Sequence, residues 1–116
     1  MSLDAQQLAR ASADAMWADD RASQAMGMAI VAIAPGTATL TMAVRDDMVN
    51  GHNICHGGHI FTLADSTFAF ACNSHNLNAV ASGARIEFLS PGRLGDTLTA
   101  VATEVSQGRR SGVYDV

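Results

Sequence analysis

Lysine is absent from this 116-residue chain: its seven basic side chains are all arginines, set against eleven Asp and Glu. The resulting net charge of −4 and an isoelectric point near 5.3 argue against general nucleic-acid binding, which calls for a basic face. Cysteine occurs only as Cys55 and Cys72, too few for a disulfide framework. Proline also occurs twice, each time before a glycine, and both pairs read as turns. No apolar run approaches a membrane span, and the first residues lack the basic-then-apolar shape of a secretory signal. A cytoplasmic protein with neither membrane nor nucleic-acid partners is therefore expected. Charged residues make up only 16% and hydrophobic ones 48%, which at this length supplies one core and hence a single domain over residues 1–116.

What is present reads, in order, as an α+β chain. Residues 3–26, rich in Ala, Gln and Met, predict a helix with Leu8, Ala15, Met16 and Trp17 as its apolar stripe. Residues 28–34 are almost continuously apolar, and 37–44 alternate Thr37, Thr39, Thr41 with Ala38, Leu40, Met42; with Pro35-Gly36 between them they predict an antiparallel hairpin. Arg45-Asp46-Asp47 closes it as a solvated loop. A long helix is expected over about 57–73, then a polar connection at 74–78. A strand over 79–89 carries small residues at Ala81, Ser82, Gly83 and Ala84. Further strands are expected over 96–106 and from 113 onward. This order places an antiparallel sheet against one central helix.

The stretch from Asn50 to Asn73 concentrates the chemistry. In its helical part Ile60, Leu63, Ala64, Phe68, Ala71 and Cys72 recur at spacings of three and four, the mark of a buried face. Asp65 lies on that helix with Phe61 and Phe68 close on its own side, either facing water with Ser66 or serving as a working carboxylate at the edge of an apolar pocket. Gly57-Gly58 stands at the helix start, where N–H groups lack intrahelical partners and the dipole favours an oxygen gaining negative charge. Eight residues separate Gly57 from Asp65, roughly 12 Å along the axis, so one helix cannot offer both to one carbonyl. Two antiparallel helices from two chains could. If both groups are catalytic, a homodimer is required.

The string N-G-H-x-x-C-H-G-G-x-x-F-x-L-A-D-x-x-F-A-x-A-C-N-S, followed by A-V-A-S, then I-x-F-L-x-P-G and G-D-T-L-T-A, resembles the acyl-CoA thioesterases of the phenylacetate-degradation type in the hotdog superfamily. The likeness runs from about Gly27 to the last residue, and the run from His56-Gly57-Gly58 to Asp65 is its most specific part. It implies a hotdog fold, an antiparallel sheet curled around the central helix, and a homodimer further paired into a homotetramer. Relatives continue beyond the fifth strand into a sixth, so strands at the C-terminal side are expected to be missing here. The implied reaction is hydrolysis of an acyl-CoA to free acid and CoA, with no cofactor and no metal. The expected acyl group is small and aromatic, phenylacetyl or hydroxyphenylacetyl.

Residue by residue, Asp65 matches the carboxylate that attacks the thioester or activates water, and the Gly57 N–H, joined by that of Gly58, would polarise the carbonyl. Asn50 matches the amide that orients thioester or water, and also reads as an Asn-Gly turn with Gly51. His56 matches the histidine before the glycine, expected to shape the loop or bond the carbonyl. The loop of Arg109, Arg110 and Ser111 offers guanidinium forks and turn amides for the CoA phosphates, or is simply a solvent-facing hairpin; Arg93 is a weaker candidate. Phe61, Phe68 and Met48 could line the acyl pocket.

Other readings of the same residues remain open. His52, Cys55, His56 and His59 have metal-ligand chemistry at short spacing but no second ligand pair. Cys55 or Cys72 could be a nucleophile, although Cys72 falls on the buried face where a thiol is usually inert. An acyl-CoA dehydratase or isomerase would use a histidine with an acid, and a non-catalytic acyl-CoA-binding protein would bind without turnover.

Overall fold

Asp4 opens the first helix: its carboxylate accepts from the Gln7 N–H at 2.7 Å while Gln7 reaches back to the Asp4 N–H at 3.0 Å, a reciprocal capping box. In the computed structural model, which describes residues 2–116, this helix α1 runs Ala5–Asp19 and a short α2 follows at Arg21–Ala25. The single helix expected over 3–26 is thus broken at Asp20, whose side chain caps α2 by accepting from the Ser23 N–H and hydroxyl at 3.0 and 2.7 Å. An aspartate that finds such partners two or three residues ahead competes with helix continuation. The buried face of α1 is Ala9 and Ala13, with Met16 and Trp17 partly buried; Ala15, expected on the stripe, faces solvent.

Strands β1 (Ala29–Ala34) and β2 (Thr37–Ala43) form the expected antiparallel hairpin. Gly36 takes φ +74° in the turn, and a Cβ there would also stand 3.1 Å from the Glu104 side chain, so glycine is needed twice over. Its N–H donates to the buried Ser74 hydroxyl at 2.8 Å, pinning the hairpin to the end of the central helix. The alternation in β2 appears as written: Ala38, Leu40 and Met42 point inward and the threonines lie between them. β2 then pairs in register with β3 (Thr97–Gln107), from Thr37↔Thr103 to Ala43↔Thr97, and β3 pairs with β4 (Gly112–Asp115). The sheet order is β1-β2-β3-β4, all antiparallel.

The central helix α3 (Gly57–Cys72) packs on β2 and β3. Its buried residues are Leu63, Thr67, Phe70, Ala71 and Cys72: Leu63, Ala71 and Cys72 are buried as expected, while Phe70 goes inward and Ala64 and Phe68 stay half-buried. Burial of Phe70, whose ring stands 6.2 Å from that of Trp17, contributes about 2–3 kcal/mol. Thr67 is tolerated there because its hydroxyl donates to the Leu63 carbonyl at 2.7 Å. Met48, expected to line an acyl pocket, is instead fully buried in this core.

The strand expected over 79–89 does not form: these residues carry no regular secondary structure and join no sheet among the described residues. This arm is tied at its start by reciprocal bonds between the Asn73 side chain and the Ala79 backbone, 3.0 and 2.9 Å. Beyond its end, the Gly92 carbonyl accepts from the Cys55 N–H at 2.8 Å. The arm therefore runs from the C-terminal end of α3 back to its N-terminal end. Its small residues do not pack closely on the helix; a cleft separates the arm from β4.

Candidate active site

His56 is the N-cap of α3, and its ring decides which glycine amide is free. Nδ1 accepts from the Gly58 N–H at 2.9 Å, so the Gly58 amide is already taken. The Gly57 N–H has no acceptor among the described residues and lies at the positive end of the helix dipole. Of the two glycine amides, that of Gly57 is therefore the free one. An Nδ1 that accepts is unprotonated, which places the neutral ring's proton on Nε2. His56 thus caps the start of α3 through its ring.

The loop leading into this cap is held by Asn50. Its Oδ1 accepts from the His52 N–H at 3.0 Å and the Ile54 N–H at 3.4 Å, and its own N–H donates to the Ile54 carbonyl at 2.9 Å. A bridge between Val49 and Cys55 and a 2.7 Å bond from the His56 N–H to the Met48 carbonyl complete the frame. The turn reading of Asn50 therefore describes its oxygen, while its Nδ2 donors have no acceptor among the described residues and stay available. Asn50→Asp keeps the oxygen and removes the donors. Its expected effect is a drop in kcat of about 10- to 100-fold with an unchanged melting temperature; an unchanged kcat would leave Asn50 as a turn residue only.

Gly57, Phe61, Asp65 and Phe68 recur at spacings of four, four and three along α3, on the side turned away from Phe70. Phe61 is 37% exposed and Asp65 is exposed. Phe61, Asp65 and Phe68 line an open cleft, bounded opposite by Gly83 of the arm and Tyr114 of β4. Asp65 therefore sits at the edge of an aromatic-lined cleft and remains open to solvent within one chain. Ser66 does not face water beside it, since its hydroxyl lies 2.8 Å from that of the buried Ser23.

Tyr114, the only tyrosine, was not singled out by sequence pattern. Its ring meets Phe68 edge-on at 5.6 Å, and its hydroxyl stands 3.0 Å from Glu104 Oε1 and 3.1 Å from Gln107 Oε1. Burial first, then the Glu104 carboxylate, push the phenol well above its ordinary range, so it stays a neutral donor. Hydrogen bonds from His75, at 2.7 Å, and from Tyr114 hold the Glu104 carboxyl below its ordinary value. This network fixes one wall of the cleft.

The other chemical candidates separate in space. Cys55 and Cys72 are buried, and burial pushes both thiols up, away from thiolate chemistry. Among the described residues no group of three or more His, Cys, Asp and Glu could hold a metal ion. Arg109, Arg110 and Ser111 form the exposed β3–β4 turn, and neither arginine has an ion-pair partner among the described residues. That turn continues the end of β3 where Glu104 meets His75, just past the C-terminal end of α3. Gly57 is at the opposite end, and a 16-residue helix spans roughly 24 Å. One chain therefore brings Asp65 to the cleft but leaves Gly57 and the arginines on either side of it.

With this geometry in place, comparison with known proteins is decisive. The thioesterase superfamily model matches residues 52–116. The acyl-coenzyme A thioesterase PaaI of Escherichia coli K12 is 50% identical over 105 residues, 90% of this chain and 75% of that protein. The chain belongs to the thioesterase superfamily. The solved structure of the E. coli PaaI protein from the phenylacetic acid degradation operon superposes with a TM-score of 0.94 at 48% identity, covering 96% of this chain and 80% of that one. The α3-on-sheet architecture is accordingly the hotdog fold. A Streptococcus mutans protein, smu.793, solved bound to acetyl CoA, matches with a TM-score of 0.73 at 33% identity over 75% of this chain and 70% of its own. This thioesterase is an acyl-CoA thioesterase of the PaaI type. No helix among the described residues is long and apolar enough to cross a membrane.

Proposed function

We propose that this thioesterase hydrolyses the CoA ester of a small aromatic acid, of the phenylacetyl kind, at a site shared between two chains. The observation that carries the reading is the cleft at Asp65, lined by Phe61, Phe68 and Tyr114. Aromatic walls favour an aryl group through offset and edge-on contacts worth about 0.5–1.5 kcal/mol beyond area burial. The operon named for the E. coli relative agrees with that choice.

In this mechanism the Gly57 N–H of one chain polarises the thioester carbonyl, with Asn50 supplying a side-chain donor. Asp65 of the other chain, ionised, attacks the carbonyl carbon or takes the proton of the attacking water. The C–S bond breaks, water supplies the new acyl oxygen, and the products are the carboxylate, a proton and CoA as free thiol. Within the site no cofactor is needed. Arg109 and Arg110, with the amides of their turn and Ser111, take the CoA phosphates, as the acetyl CoA bound to the S. mutans relative suggests for the family's cargo.

The pairing follows from the proposed chemistry. If Asp65 meets the partner's Gly57 and the reverse, the two α3 helices run antiparallel and residue 61 falls on the two-fold axis, Phe61 against its copy. A homotetramer of two such dimers is the proposed assembly. The test is thiol release from a panel of aryl- and alkyl-CoA esters. Phenylacetyl-CoA is expected to exceed hexanoyl-CoA in kcat/KM by about tenfold or more; equal values across the panel would remove the aromatic preference. A dehydratase, by contrast, would release no thiol from any of them.

A further inference from the structure

Phe88, near the end of the arm, makes the nearest approach to the face of Gly57. A Cβ built on Gly57 would stand 3.2 Å from both Cε1 and Cζ of that ring, tighter than ordinary contact. Yet Phe88 is 57% exposed, so its ring does not serve mainly to fill the core. Gly57 has no left-handed backbone angle that would itself demand glycine. As the first residue of α3 it stands where alanine is otherwise acceptable to a helix. A methyl group there would force the ring to give by a few tenths of an ångström.

We infer that Phe88 is a positioning residue for the Gly57 amide: seated on the glycine, it fixes where the N–H points and keeps water from one side of it. A hydrogen bond from a partly dehydrated donor to a developing oxyanion is stronger than one made in open solvent. The arm's attachments support the role, because Gly92, just beyond the arm, is bonded to Cys55 immediately before the His56 cap, which ties the arm's end to the helix start. The inference rests on reading the Gly57 amide as the donor to the thioester carbonyl.

A double-mutant cycle on the full chain tests it, with Gly57→Ala, Phe88→Ala and their combination assayed for kcat and KM separately by thiol release. Alanine at 57 keeps the N–H and adds only the methyl group. With Phe88 present, Gly57→Ala is expected to lower kcat by about 100-fold. Phe88→Ala alone is expected to lower kcat by about tenfold with KM little changed, and adding Gly57→Ala to it should cost less than about threefold more. Phe88→Leu repeats the cycle with a smaller loss of packing, and melting temperatures report on folding throughout. Equal losses from Gly57→Ala in both backgrounds would overturn the inference, since the ring would then have no part in the effect. Gly57→Pro distinguishes the underlying reading: it deletes the N–H, and an unchanged kcat there would remove the amide itself from the mechanism, whatever the cycle gave.

Discussion

Asp65→Asn is expected to lower kcat on the preferred acyl-CoA by about 10³-fold, with the melting temperature unchanged. The side chain is exposed and makes no ion pair or hydrogen bond among the described residues, so its exchange breaks no native contact. Asparagine is nearly isosteric and nearly equal in helix propensity at this mid-helix position. Any loss is therefore assignable to the missing charge. As nucleophile or as base, the carboxylate must carry a lone pair that an amide does not offer at neutral pH. Phe61 and Phe68 flank it on the wall of the cleft, where the acyl group of a substrate would lie beside it. The measurement is single-substrate thiol release alongside thermal unfolding. A loss under tenfold would take Asp65 out of the chemistry.

Much of this was legible in the chain because the signals were local. The alternation of Thr with Ala38, Leu40 and Met42 fixed both the strand and its inward face, and Pro35-Gly36 fixed the turn, because each depends on neighbours two residues away. Asp65 and the His56-Gly57-Gly58 cap could be placed on one helix for the same reason. The failures depend on partners distant in sequence. Phe70 rather than Phe68 faces the core, since the direction of the sheet, not helical periodicity alone, selects among several apolar positions on an apolar helix. Asp20 breaks the first helix through Ser23, a bond that a composition rich in good helix formers concealed. Residues 79–89 form no strand despite their sequence, because a strand needs a ladder partner that the local pattern does not reveal. Tyr114 and Phe88 were missed as wall and positioning residues because a lone aromatic in a strand pattern gives no signal until the opposing element is known.

Mixing two inactive variants should restore activity, and this is the second large effect. Asp65→Asn removes the carboxylate and Gly57→Pro removes the amide. The proline is compatible with the local backbone: it stands at the first helical position, and His56 before it has ψ 132°, the extended conformation that a residue preceding proline prefers. Its ring must displace Phe88, the one contact at risk. Each variant alone is expected to retain about 10⁻² to 10⁻³ of wild-type kcat. In a dimer containing one of each, one site holds both defects and the other pairs the intact Asp65 with the intact Gly57. Random re-pairing makes half the dimers mixed, so about a quarter of all sites should work, a recovery of roughly 25- to 250-fold over either variant. A site built within one chain predicts no recovery at any mixing ratio, because every chain then carries its own defect. The roughly 12 Å between Gly57 and Asp65 on one helix makes that alternative geometrically poor. Phe61, midway between them and 37% exposed, is where the two helices would meet; a charge placed there, as in Phe61→Asp, should abolish the regained activity in the mixture by keeping the chains apart.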